Sequence, residues 1–548
     1  MANKNILLIE PGYRNKYPPL GLMKLAQYHG PQGKGDNVRF IKGEDRSVIG
    51  TAWDRIYITT LFSFEWTRTA RSIDFALEVA HGRADLVFVG GIAASLMHDK
   101  FLEEPRWRGI RFIQGLLVDS PAESLQLDEF DEELYSEDRH SGPIEEMLPD
   151  YSILGQISYR YPVHDAYFLY ASRGCIRTCS FCGVPKLEGG QRDTPSITKL
   201  VNGIEARYGQ KKDLIFMDNN IVASEKFADI ISEVVDLGFG RGATIRKRGI
   251  QIMRRVDFNQ GVDARELAKN GELMKQIART CISPLRIAFD HLGLRKQYET
   301  SIRMAADNGI KGLSNYMLYN YNDDPADLYD RMHLNVQLNE ELNIRIFSFP
   351  MRYHPVDQKD RSFVGKHWNR YQIRSMQVIL QATHGIVSGS PDFFREAFGE
   401  SSVHFLKLLS LPHHFIFNRM WYFKGDGRSE YDEFLAQDAR LSDEERSELA
   451  GYLCTWLFEN DGDRLTRAEI RSKVEGVANP KLQAILSFYI PLEKDVERVI
   501  WDKQKELRKL EAPEPAFNLP EDEVVEDAGL MDDGDSTEPS PRPAALAR

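Results

Sequence analysis

Apolar residues open the chain in short unbroken runs: Asn5-Ile6-Leu7-Leu8-Ile9, Val38-Arg39-Phe40-Ile41, Arg55-Ile56-Tyr57-Ile58-Thr59, Asp85-Leu86-Val87-Phe88-Val89 and Arg111-Phe112-Ile113. Runs this short and continuous predict strands buried on both faces. Between the third and fourth, Ala70, Ile73, Ala76, Leu77 and Ala80 recur at the spacing of one helix face. Strand and helix in alternation predict a doubly wound parallel sheet over residues 1–117, with ligands beyond the carboxyl ends of its strands. Three loops fall there: Pro11-Gly12-Tyr13 with the later Pro18-Pro19-Leu20-Gly21, then Thr60-Leu61-Phe62-Ser63, and Gly90-Gly91. None has the GxGxxG spacing of a dinucleotide site.

The pattern then changes. Residues 118–160 are acidic and irregular and read as a connector. Six strand-like runs follow, beginning near Ala166, Asp213, Gln251, Pro284, Gly312 and Ile344, each separated by enough chain for a helix. Six strand–helix units over 161–357 predict a partial (β/α) barrel, with functional groups at the carboxyl ends of its strands. Residues 358–510 carry apolar positions three to four apart, as in "YQIRSMQVILQATHGIV" and "LEKDVERVIWDKQKELRKL", and predict a helical region. The end, 511–548, is rich in Pro and acid and poor in aromatics, the composition of a disordered tail.

Charge changes this picture only once it is localised. The tail has eleven Asp or Glu against two Arg, so −9 of the net −12 sits there and the body is near neutral. A near-neutral body offers no electrostatic case for nucleic-acid binding, and "GRGATIRKRG" at 240–249 reads as a solvated loop. No run approaches the roughly 20 apolar residues of a membrane span, and "MANKNILLIEPGY" enters a strand pattern directly; a cytoplasmic protein is expected.

The candidate chemistry is concentrated in "ASRGCIRTCSFCGVPKLEGG". Cys175, Cys179 and Cys182 are spaced to bend one loop around a soft metal centre, leaving one coordination position for a group that is not protein. Plainer readings compete. A structural zinc site needs a fourth ligand, and the other cysteines, Cys281 and Cys454, are distant in sequence, although a remote histidine could close such a site. Inert thiols or a disulfide suit a polar, glycine-containing loop poorly.

The CxxxCxxC spacing, with Phe181 before the last cysteine and the apolar stretch Ala166-Tyr167-Phe168-Leu169-Tyr170-Ala171 before the first, resembles the radical S-adenosylmethionine (SAM) superfamily. The resemblance implies that Cys175, Cys179 and Cys182 hold a [4Fe-4S] cluster whose fourth iron takes the amino and carboxylate groups of SAM. It further implies reductive cleavage of SAM to methionine and a 5′-deoxyadenosyl radical, and a barrel of the TIM type. The preceding domain is similar to the Rossmann-like cobalamin-binding domain of the class B members, through "PPLGL" after the first strand and "GG" after the fourth. That likeness implies cobalamin as a further cofactor. The DxHxxG string that supplies an axial histidine in many cobalamin proteins is absent; Asp138-Arg139-His140-Ser141-Gly142 has another spacing.

The predicted strand ends are polar. Asp218-Asn219-Asn220 follows the second, Asn259 to Arg265 the third, Asp290-His291 the fourth, and Arg352-Tyr353-His354 the sixth. Short acids and amides also favour caps and turns, so each is a candidate only through its neighbours. By position in the family pattern, Asp218 and Asn219 stand where SAM's amino group is contacted, although the usual Gly-Gly-Glu string is missing. Asp263 suits a ribose diol, Arg265 suits a carboxylate, and Arg352 and His354 are placed for substrate.

Four functional readings are carried forward. The first is a class B radical SAM enzyme, with cobalamin between two domains supporting methyl transfer or rearrangement on a small molecule or peptide. The second is a radical SAM enzyme whose first domain recognises substrate without cobalamin. A methylthiotransferase is a third, weakened because no cysteine precedes Cys175. A non-enzymatic zinc or iron–sulfur scaffold is the fourth. An enzyme of this kind needs a low-potential electron donor of the flavodoxin or ferredoxin type.

Overall fold

The computed structural model describes residues 3–117, 144, 147–387, 390–455, 459–460 and 463–510. The acidic stretch 118–143 and the tail 511–548 lie outside the described residues. Five strands, β1 (Asn5–Glu10), β2 (Asn37–Lys42), β3 (Arg55–Thr60), β4 (Val87–Gly91) and β5 (Arg111–Phe112), form one sheet in the order β2-β1-β3-β4-β5. Every pairing in it is parallel. Alternation assigns its two faces to different cores. Leu7, Ile9, Ile56, Ile58, Val87 and Val89 pack with Ile73 and Ala76 of helix Trp66–Val79. Ile6, Leu8, Phe40, Tyr57 and Phe88 pack with helix Leu20–His29 and belong to the core that runs on into the rest of the molecule. Both faces are buried, which is why these strands read as unbroken apolar runs.

Six further parallel strands make a partial barrel: β6 (Ala166–Leu169), β7 (Asp213–Phe216), β8 (Val256–Phe258), β9 (Leu285–Arg286), β10 (Gly312–Tyr319) and β11 (Arg345–Arg352). They pair as β6-β7-β8 and β9-β10-β11. Parallel bridges Val256 to Ile282 and Val262 to Ile287 join the two halves. Helices such as Ile197–Tyr208, Arg295–Asp307 and Pro325–Leu342 connect successive strands.

The third barrel strand starts at Val256, later than the apolar run near Gln251 indicates. Ile250–Met253 instead pairs antiparallel with Thr244–Lys247 in a hairpin whose Ile250, Ile252 and Met253 are exposed. Arg248 (φ +50°) and Gly249 (φ +82°) make its two-residue turn, so the basic loop expected at 240–249 is itself half strand.

Helices from Arg370 onward form the last region. Their aromatic residues pack on the outer helix Pro325–Leu342, where Tyr329 meets Phe394 and Phe405. No helix is long and apolar enough to cross a membrane, among the described residues.

Candidate active site

The cysteine loop is a closed structure. Ser172–Arg173 pairs antiparallel with Arg192–Asp193, so the eighteen residues between them start and end together. Inside, the Gly174 N–H donates to Glu188 Oε2 at 2.8 Å and the Cys175 N–H to the Gly189 carbonyl at 3.3 Å. Gly174 has φ +74°, and a Cβ there would run into the Gly190 carbonyl, so glycine is required.

Cys175, Cys179 and Cys182 are all free thiols, neither fully buried nor fully exposed. Burial pushes the Cys182 thiol up, and Cys179 and Cys175 are close enough to add to the effect. Backbone N–H groups of Arg177 and Val184 donate to the sulfurs of Cys175 and Cys182 at 3.4 Å each, an arrangement that favours thiolates. Among the described residues no three His, Cys, Asp or Glu converge as a single metal ion requires. The loop offers three sulfur donors and, among the described residues, no nitrogen or oxygen ligand is shown beside them, a donor set that suits an iron–sulfur cluster.

The rim residues divide into those that brace the loop and those left open. Asp218 is buried, and its carboxylate accepts from the Ala171 N–H at 3.0 Å and the Ser172 hydroxyl at 2.7 Å. Burial outweighs these bonds and raises its pKa to about 7. Asn219, next to it, has a buried Nδ2 with no hydrogen-bond partner. Asn220 Nδ2 lies 3.9 Å from Cys175 Sγ.

Asp263 caps helix Ala264–Lys269 and accepts from Arg265 Nε at 2.8 Å and Arg177 Nε at 2.7 Å. Burial opposes ionisation there, but the two guanidinium groups outweigh it and hold the carboxyl below its usual range. Arg177 also donates to Glu266. This residue, between two of the cysteines, latches the loop to the third strand's end, and nothing in its sequence context marks it. Arg265 faces both Asp263 and Cys179. Asp290 stands in electrostatic reach of Cys182, Arg265 and Arg331; burial raises its pKa to about 6.

Phe181 meets Tyr321 edge-on at 5.6 Å, and Tyr321 meets Tyr353 at 4.6 Å, an aromatic row across the barrel mouth. Arg352 and His354 reach other elements. Arg352 donates to the Phe363 carbonyl, and His354 packs on Phe64 of the first domain at 5.4 Å. Burial, with Arg352 and Arg361 nearby, lowers the His354 pKa to about 3.

Part of the carboxyl edge of the first sheet is occupied by the protein's own side chains. Glu10 is 1% exposed and accepts from Lys42, Asn15 and Tyr161. Tyr13 is buried beside the Thr69 hydroxyl. Over the β3 and β4 ends, Arg361 covers Phe64 at 4.2 Å and Lys359 covers Trp66 at 4.1 Å. Helix Ile92–Leu96 packs against Val184–Leu187, directly after the last cysteine. Phe62 after β3 and Ile92 after β4 stay 46% and 39% exposed, so an apolar surface of the kind a corrinoid ring needs remains at that edge.

No family model and no curated protein matches the chain. Among solved structures it is similar to apo OxsB, a cobalamin-dependent S-adenosylmethionine radical enzyme, at 13% identity and TM-score 0.46, over 92% of this chain and 83% of that one. It is also similar to Streptococcus suis SuiB bound to precursor peptide SuiA, at 12% identity and TM-score 0.27, over 40% of this chain and 46% of that one. SuiB bound to S-adenosylmethionine matches at 11% identity and TM-score 0.27, over 40% and 47%. Likeness at these scores carries no chemistry over to this chain, whose function rests on its own residues.

Proposed function

We propose that the chain is a radical SAM enzyme. The carrying observation is one loop bearing three mutually close free thiols, at the carboxyl mouth of six parallel strands. Cys175, Cys179 and Cys182 would hold a [4Fe-4S] cluster, which when bound delivers an electron to SAM and yields a 5′-deoxyadenosyl radical.

The protein's own part is to position and to exclude water. Asp218 braces the loop entry through Ala171 and Ser172, while the neighbouring Asn219 Nδ2 is left to donate to a ligand. Asp263 and Arg265 offer an acceptor for a diol and a donor fork for a carboxylate, beside Cys179. The row Phe181, Tyr321 and Tyr353 covers the mouth against solvent. The first domain would carry cobalamin at the edge where Phe62 and Ile92 are exposed or, without it, shape the substrate site. The substrate would be a small molecule or a peptide, and the electron donor a flavodoxin or ferredoxin.

Anoxic reconstitution tests the proposal: about four irons per chain and 5′-deoxyadenosine from SAM under a low-potential reductant are expected. Zinc without iron would sink it. Cys179→Ala should lose both iron and SAM cleavage. Added hydroxocobalamin separates these two roles: a protein-bound corrinoid spectrum is expected if the first domain carries cobalamin, and an unchanged spectrum leaves it the substrate-shaping role.

A further inference from the structure

The second half of the cysteine loop is held from across the barrel mouth. Ser180, between Cys179 and Cys182, shares a hydrogen bond of 2.6 Å with the Tyr321 hydroxyl, and Phe181 meets the Tyr321 ring edge-on at 5.6 Å. The first half is tied elsewhere, since Arg177 reaches Asp263 and Glu266 at the third barrel strand's end. Cys179 is thus flanked by two anchors, one to the third strand's end and one to the turn after the fifth, β10.

That turn is itself held from behind by buried polar groups. Asn320 is fully buried and takes φ +65°, a region asparagine enters more readily than most side-chain-bearing residues. Its Nδ2 donates to the Tyr353 and Phe363 carbonyls at 3.3 and 3.2 Å, and its Oδ1 accepts from the Gly365 N–H at 2.7 Å. Gly365 packs so closely that a Cβ there would run into the Asn320 and Tyr321 carbonyls. On the other side the Tyr321 N–H donates to Asp323 Oδ1 at 3.1 Å, and Asp323 Oδ2 accepts from Arg331 at 2.8 Å. Arg331, fully buried on helix Pro325–Leu342, also donates to the Phe289 carbonyl at 3.1 Å and the Leu318 carbonyl at 2.8 Å. Asp324 caps that helix separately, so ending β10 and starting the helix does not account for this network. What the network fixes is the direction of Tyr321.

We propose that Tyr321 is the positioning residue for the Cys179–Cys182 half of the loop, its hydroxyl and ring together setting where those two sulfurs stand. The inference deepens the radical SAM reading and rests on it for what the sulfurs hold. Their placement is a property of the chain without its cluster and is measured there first.

Hydrogen exchange of the full apo chain, read by mass spectrometry, tests it. The Cys182 N–H donates to the Cys179 carbonyl and the Val184 N–H to Cys182 Sγ, whereas the Gly174 and Cys175 N–H groups report on the other half. Tyr321→Leu should speed exchange over 179–184 about tenfold and leave 174–177 within about twofold. Tyr321→Phe keeps the ring and should give about threefold; Ser180→Ala should match it, and the two together should add nothing further. Circular dichroism verifies each fold, and Ser180→Ala, at an exposed position, keeps the test open should a Tyr321 variant misfold. Reconstituted anoxically and reduced, Tyr321→Leu should shift the g values of the cluster's electron paramagnetic resonance, and Tyr321→Phe should shift them less. Unchanged exchange over 179–184 in Tyr321→Leu, an equal rise over 174–177, or g values identical to those of the unaltered chain overturns the proposal. An unaltered chain that takes up no iron sinks the radical SAM reading, while the exchange pattern still decides the role of Tyr321.

Discussion

Asp218, expected at the second strand's end as a contact to SAM, is engaged in the structure by the backbone and side chain beside it. Its oxygens are engaged by Ala171 and Ser172, so it holds the strand-to-loop junction at the start of the cysteine segment. Asp218→Asn would set an amide N–H against one of those donors, at a cost of about 1–3 kcal/mol for the bond lost and the donor left unpaired. Thermal unfolding should show a lower midpoint and iron should leave the reconstituted protein faster; an unchanged midpoint would count against the bracing role. The cysteine segment, by contrast, reads from spacing as one local loop, and Ser172–Asp193 closes it as such. Arg177 was not: its bonds to Asp263 and Glu266 span more than eighty residues, and no local pattern encodes a contact of that range.

At the scale of elements, both sheets were readable because strands buried on two faces leave continuous apolar runs. The misplaced third barrel strand has a physical cause. Ile250, Ile252 and Met253 satisfy a strand pattern yet lie exposed in a hairpin, and β propensity does not report which sheet a strand joins. The cysteine loop depends on one backbone conformation that pattern reading does not reach. Gly174→Ala forces a Cβ toward the Gly190 carbonyl at φ +74°. Strain of about 1–3 kcal/mol in a segment this short is expected to open the Ser172–Asp193 ladder locally. Iron per chain should fall sharply while far-ultraviolet circular dichroism stays unchanged; full iron occupancy in the variant would remove the need for glycine.

Across the whole molecule, buried titratable groups set the response to pH. His29, His354, His413 and His414 have pKa values lowered by burial to about 4, 3, 3 and 4. Each is neutral when folded and charged when unfolded below about 6.5, so unfolding takes up protons there and stability falls on acidification by about 1.4 kcal/mol per group and pH unit. Asp218 and Asp290, raised to about 7 and about 6, act in the opposite sense, since folding holds their protons. Four groups outweigh two, so urea unfolding should show stability falling between pH 6 and about pH 5. A flat or rising profile over that interval would mean that the histidines titrate normally in the folded chain.

Tyr17 lies 242 residues from Asn259, the acceptor of its hydroxyl, and ties the loop after β1 to the end of the third barrel strand. The front sheet and the barrel are therefore not interchangeable modules: a front half taken from another protein would arrive without this tie between the two. Selection on the barrel's geometry therefore acts on a short loop near the amino end as well as on the barrel's own strands.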